Sequence, residues 1–160
     1  MLFRSKLASN FGLTRRTGTA ARGEVTFFTR TRPTQSLTIP LGTTVFSGNL
    51  RFITLESSQI AFERLASFFD PIKRIFFVRV PVICETLGTV GNVVSNQIKS
   101  AQGLTSLSVT NDQPMFGGRN EETNAELASR AIATMTSVDV GTERGYLRVS
   151  ADTAGVEQVF

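Results

Sequence analysis

The chain has 160 residues, of which 41% are hydrophobic and 19% charged, with a single cysteine and no histidine. This composition is typical of one globular domain, and it excludes a disordered chain and an internal disulfide framework. No apolar run approaches the roughly 18 residues of a spanning helix, so we expect no membrane partner. The missing histidines remove the commonest general base and metal ligand, so we expect neither enzyme activity nor a resident cofactor.

Basic residues are concentrated near the start of the chain. Segment 1–33 holds seven basic residues and one acid, a net charge of +6, whereas the remainder carries −2. A basic arm on a mildly acidic body predicts a bound polyanion. We therefore divide the chain into an arm over 1–23 and a β-rich domain over 24–160. Nucleic-acid contacts are predicted for the seven basic residues Arg4, Lys6, Arg15, Arg16, Arg22, Arg30 and Arg32.

A second interpretation of the arm is a targeting signal. Segment 1–23 is rich in arginine and free of acids, which is also typical of mitochondrial transit peptides. In that case the body would be a small β-rich mitochondrial protein, and the arginines would have no role after delivery.

The body is predicted to be mainly β-strand. The strongest signal comes from 73–84 (KRIFFVRVPVIC), where Phe76, Val78, Val80 and Val82 share one face. Pro81 requires a bulge or an unpaired edge in that strand. In chain order, the predicted strands cover 24–31, 35–39, 44–55 (with a bulge or bend at Gly48), 73–84, 104–110, 145–150 and 156–160. Many short strands punctuated by glycine and proline predict a sandwich or a barrel.

Two helices are predicted between these strands. The first covers 57–69, begins at Ser57 or Ser58, and turns Phe62, Leu65 and Phe69 towards the core. The second begins with a capping box, in which Thr123 and Glu126 satisfy each other's backbone amides. Its apolar stripe consists of Leu127, Ala128, Ala131, Ile132 and Met135.

Few residues outside the arm suggest chemistry. Cys84 lies in an apolar strand and is interpreted as a small core residue. The pair Asn111 and Asp112 could join a Ca²⁺ site at a subunit contact, although a turn explains it better. Serine is plentiful, but neither a G-x-S-x-G elbow nor a histidine accompanies it.

The order of these elements resembles the shell domain of icosahedral single-stranded RNA virus coat proteins. The residues that carry the resemblance are a helix at 62–70 (FERLASFFD), a strand at 73–83 (KRIFFVRVPVI) that follows directly, and 104–112 (LTSLSVTND) before the second helix. A basic arm precedes them, as in that family. The short chain is similar in size to satellite-virus coats.

The resemblance implies an antiparallel jelly-roll sandwich with two short helices in its connecting loops. It also implies a capsid protein that assembles with many copies of itself into an icosahedral shell, packages nucleic acid, most simply single-stranded RNA, and resides in the virion. A third interpretation is a small sandwich module that binds a sugar or another ligand, for which no convergent aromatic and polar site is evident.

Overall fold

The computed structural model describes residues 13–137, which divide into two compact units. The barrel unit is Thr17–Glu121, and the described residues of the helix unit are 13–16 and 122–137. Its helix is α1 (Asn124–Ser137). The strands, all in the barrel unit, are β1 (Ala20–Thr29), β2 (Leu37–Ile39), β3 (Thr44–Ser47), β4 (Leu50–Thr54), β5 (Ser58–Ile60), β6 (Phe69–Asp70), β7 (Ile75–Leu87), β8 (Ser100–Ala101) and β9 (Ser108–Thr110).

Some predicted features lie outside the described residues. These are the strands at 145–150 and 156–160 and the basic residues Arg4 and Lys6. No helix within residues 13–137 has the length and apolar character that crossing a membrane requires.

All strands of the barrel unit except β2 and β5 form one antiparallel sheet that nearly closes on itself. Their order is β8–β3–β4–β7–β1–β9, with β6 paired to β7, and the two ends of this order, β8 and β9, also lie against each other. β2 and β5 pair separately. The predicted mainly β, antiparallel fold is confirmed. The jelly-roll sandwich is not, because one sheet curls round a single core where a jelly roll has two facing sheets.

The long strand β7 keeps the alternation that the sequence predicts. Val80, Val82 and Cys84 are buried inside the barrel, and the intervening residues point outwards. Pro81 pairs with β1 without a shift of register, and its carbonyl accepts a 2.9 Å hydrogen bond from the amide of Leu55. The nitrogen and the carbonyl of a strand residue point to the same side, so the nitrogen of Pro81 faces the point where β4 ends. The only ladder bond that proline removes there is the one to the carbonyl of Leu55, just beyond the end of β4.

The core fills the interior of the barrel. Phe27 of β1 and Phe52 of β4 are its largest fully buried side chains. Cys84 is buried and unpaired, which confirms its interpretation as a core residue. The core also contains Ala21, Val25, Val45, Val80, Val82, Ile98, Leu107, Val109 and Met115.

The predicted strand over 44–55 is a hairpin of two strands. β3 and β4 pair through Ser47 and Leu50, which leaves a two-residue turn of Gly48 and Asn49. Gly48 has a φ of +58°, a left-handed conformation that hairpin turns of this length favour. The expected bend is therefore a complete reversal of the chain.

The predicted helix over 57–69 is confirmed only in its second half, and there not as an α-helix. Its first residues form β5, and Phe62–Phe68 form a distorted 3₁₀ segment whose geometry breaks at Arg64. Pairing of β5 with β2 buries Ile60 completely, and this tertiary contact overrides the helical periodicity. Leu65 is buried as predicted, but Phe62 and Phe69 are 46% and 40% exposed.

The capping box of α1 is confirmed. The backbone amide of Thr123 donates to the Glu126 carboxylate at 2.7 Å, and the amide of Glu126 donates to Thr123 Oγ1 at 3.3 Å. The bond from the Thr123 amide, together with one that the Thr123 hydroxyl donates to the same carboxylate at 2.8 Å, lowers the pKa of Glu126. On the predicted apolar stripe Leu127 is buried, whereas Ile132 is exposed.

A single buried side chain ties the two ends of the barrel together. Asn111 follows β9 and is fully buried. Its carboxamide oxygen accepts from the amides of Gln97 and Ile98, both at 2.9 Å, and its nitrogen donates to the carbonyls of Val94 and Gln113 at 2.8 and 2.9 Å. The segment that leads into β8 is thereby fixed beside the end of β9. The Asn111 side chain thus serves the fold, and Ca²⁺ at this position remains a prediction.

Candidate functional site

The outer face of the barrel is unusually apolar for a surface. Ile53 of β4 lies opposite Ile83 of β7. Two residues further along the chain, the amide of Leu55 donates a hydrogen bond to the carbonyl of Pro81. Phe28 of β1 lies opposite Phe77. These six residues are half-buried or exposed, and together we call them the outer strip (Phe28, Ile53, Leu55, Phe77, Pro81 and Ile83). An antiparallel sheet normally keeps its solvent face polar, so the strip favours a protein contact.

A charged cleft adjoins the outer strip. It has a volume of about 500 Å³ and lies between β1, β7 and the segment after β9. Two cations, Arg22 and Arg79, and two acids, Glu24 and Asp112, line it. Arg79 also lies over the ring of Phe77, 5.6 Å from its centroid. The cleft carries balanced charge, which suits hydrogen bonds and ion pairs with a partner protein.

The predicted nucleic-acid residues are divided between the two units. Of the five that are described, Arg15 and Arg16 belong to the helix unit, where the Arg15 guanidinium donates to the side chain of Asn124. Arg22 lies in β1, while Arg30 and Arg32 follow that strand. β1 begins at Ala20, four residues before the predicted strand. Contact between these residues and nucleic acid stays a prediction.

The helix unit contains a carboxylate that accepts three hydrogen bonds. Glu122 accepts from Nε and Nη2 of Arg130, both at 2.8 Å, and from the backbone amide of Arg16 at 3.0 Å. The Arg130 hydrogen bond, followed by that of Arg16, lowers the pKa of Glu122 from 4.5 to about 2. The sequence analysis did not pair Glu122 with Arg130, which lies eight residues later.

This carboxylate is expected to make the chain sensitive to acid. A folded-state pKa below the usual value means that ionised Glu122 stabilises the fold above about pH 4.5, and that this stabilisation is lost as the pH falls towards 2. Glu122→Gln removes the titration. We expect the melting temperature of wild type to exceed that of Glu122→Gln at pH 6, and the difference to shrink between pH 4.5 and 2. A difference that stays constant over that range would contradict the assignment.

Groups that could support catalysis or metal binding do not converge in the described part of the chain. Within residues 13–137, no three Cys, Asp or Glu side chains come close enough to hold a metal ion. Asp112, which follows Asn111 and lines the cleft, accepts a hydrogen bond from Thr26 Oγ1 at 2.8 Å. The arrangement is best suited to binding a protein surface. The sequence analysis missed the outer strip because it interpreted only one face of 73–84, and the strand pattern does not show whether the other face is covered.

Comparison with solved structures shows that this chain is similar in fold to a baseplate protein. A chain in the structure titled "Cryo-EM structure of the anti-feeding prophage (AFP) baseplate, 6-fold symmetrised" matches this chain with a TM-score of 0.62 and 13% sequence identity. The match covers 82% of this chain and 41% of that chain, so the present chain spans less than half the length of that one. The two share a fold. Comparison with curated proteins gives no match.

Comparison with protein families corrects the predicted function. The Baseplate J-like protein barrel domain matches residues 24–118, from within β1 to beyond β9. The coat-protein interpretation is therefore wrong, together with its icosahedral shell, its RNA partner and its RNA-virus virion. That resemblance depended on an order of strand, helix and strand in which the helix is only a distorted 3₁₀ segment. The mitochondrial alternative gains no support from this match. Since the matched residues make up more than half of the sequence, this chain belongs to the Baseplate J-like protein barrel domain family.

Proposed function

We propose that the chain is a structural subunit of the baseplate of a phage-like particle. The observation that carries this proposal is the family match over 24–118, which coincides with the nearly closed barrel. The fold shared with a chain of the anti-feeding prophage baseplate supports it. Because that baseplate is described as 6-fold symmetrised, we also propose that copies of this chain repeat around the axis of the particle.

We further propose that the role is architectural and requires no cofactor. The absence of histidine from the sequence supports this, because the commonest general base is missing. The partners are other baseplate proteins, held through the outer strip and the charged cleft. Protein interfaces combine an apolar centre with a polar rim, and these two neighbouring surfaces supply both.

Immunogold microscopy tests the location. Particles are purified from the producing cells and labelled with a gold-conjugated antibody against this chain. We expect gold at one end of the particle, on the baseplate. Labelling spread over a closed shell, or particles that lack the chain by mass spectrometry, would contradict the proposal.

Polar substitution of the outer strip tests the contact surface. In the double variant Ile53→Asn, Ile83→Asn, both side chains point outwards, so the barrel should fold while its incorporation into particles falls at least about tenfold. Val94→Asn, at a site that is 63% exposed outside the strip, is the control and should be incorporated normally. Equal incorporation of both variants would exclude the outer strip as a contact.

A further inference from the structure

An apolar side chain extends into solvent at the turn between β6 and β7. Ile72 is 93% exposed, the highest value among the large hydrophobic side chains that are exposed in residues 13–137. The turn around it is well ordered, because Asp70 Oδ1 accepts from the amides of Ile72 and Lys73 at 2.9 and 3.1 Å. Arg74 has a φ of +53°, which a non-glycine residue rarely adopts. The chain therefore accepts backbone strain at the turn that displays Ile72.

Basic side chains are concentrated at the same end of the barrel. β1 ends at Thr29, opposite Phe76, so the segment that follows β1 runs beside the turn that precedes β7. Arg30 and Lys73 line one cavity of about 310 Å³. We call the exposed residues at this end the basic turn (Arg30, Arg32, Ile72, Lys73 and Arg74).

The charge of the basic turn is only partly neutralised. Asp112 Oδ1 lies 3.8 Å from Lys73 Nζ, and its other oxygen accepts from Thr26. Asp70 is occupied with the backbone amides of the turn. Four cations therefore face two nearby carboxylates among the described residues. The excess positive charge is complementary to an acidic surface.

We propose that the basic turn docks into an apolar pocket ringed by carboxylates on a different baseplate protein, an inference that depends on the function proposed above. Ile72 fills the pocket and the four cations pair with its rim, an arrangement typical of interface anchors. A nucleic acid would account for the cations but would leave Ile72 in water, because a phosphate backbone offers it no apolar surface.

A second copy of this chain fits the basic turn less well. The charged cleft and two further cavities of the barrel unit each contain at least one arginine. None of these three therefore offers a rim made of carboxylates. The partner is accordingly a protein of different sequence.

Competition during particle assembly tests the proposal. A tagged copy of each variant is produced beside untagged wild type in cells that make the particle, and the ratio of the two in purified particles is measured by mass spectrometry. Ile72→Ser and Arg32→Glu should each be incorporated at least about tenfold less than tagged wild type. The matched controls are Val90→Ser, at a 57% exposed apolar site, and Arg119→Glu, at an exposed site near the opposite end of β1. Both should enter normally.

The outcomes separate this inference from the proposed function. If tagged wild type is absent from particles, both fail. If wild type, Ile72→Ser and Arg32→Glu enter equally, the docking inference alone is overturned. A photo-crosslinking residue at position 72 identifies the occupant: a crosslink to an acidic segment of another baseplate protein supports the proposal. A crosslink to nucleic acid or to a second copy overturns it. Unchanged melting temperatures for both variants would show that their loss is not due to misfolding.

Discussion

Asn111→Ala is expected to remove a large part of the stability of the barrel. The substitution deprives two backbone amides and two carbonyls of their partner, and the amide of Ile98 is buried. An unsatisfied buried group costs about 1–3 kcal/mol, and each further bond adds roughly 0.5–1.5 kcal/mol. A domain has only about 5–15 kcal/mol in total. Urea unfolding followed by circular dichroism measures the loss, and we expect the midpoint to fall sharply.

Two further variants define which bonds matter. Asn111→Asp keeps an oxygen that accepts from Gln97 and Ile98, but it cannot donate to Val94 and Gln113. The stability of this variant should therefore lie below that of wild type. Gln113→Ala is the control, because Gln113 meets Asn111 only through its backbone carbonyl. If Asn111→Ala unfolded at the same urea concentration as Gln113→Ala, Asn111 would not be what closes the barrel.

Closure through Asn111 could not be predicted from the sequence. Its partners at 94–98 lie 13 to 17 residues away, in a segment without periodicity. A buried asparagine and a turn-forming asparagine have the same sequence signature, since both follow a short apolar strand. The interpretation as a turn residue was reasonable locally, and only the packing of β9 beside the approach to β8 assigns the side chain its four bonds.

Features that depend on local geometry were predicted well. The alternation along β7 follows from the two-residue period of any strand, and the Thr123–Glu126 capping box from the reach of two side chains across one turn. Whether the outer face of β7 is covered depends instead on which elements lie over it, and no local pattern contains that information. For the same reason the order of elements suggested a sandwich where the strands form one barrel-like sheet.

The error over 57–69 has the same origin. Phe62, Leu65 and Phe69 have helical spacing, and that spacing alone predicted a buried stripe. Pairing between β2 and β5 pulls Ser58–Ile60 into an extended conformation, so the helical geometry is confined to Phe62–Phe68 before β6. The amide of Phe62 donates to Ser36 Oγ, so the segment is fixed by contacts from elsewhere in the chain.

Phe52→Ala and Phe62→Ala should therefore differ strongly in stability, although the sequence analysis turned Phe62 towards the core. Phe52 is fully buried opposite Val45 and Cys84, and its truncation leaves a cavity that costs about 3–5 kcal/mol. Phe62 is 46% exposed, and its loss should cost less than about 1 kcal/mol. Urea unfolding of both variants and wild type measures the difference. Equal destabilisation would mean that Phe62 packs into the core after all. A stable Phe62→Ala beside a largely unfolded Phe52→Ala would establish that stability comes from the barrel interior, with the 3₁₀ segment outside it.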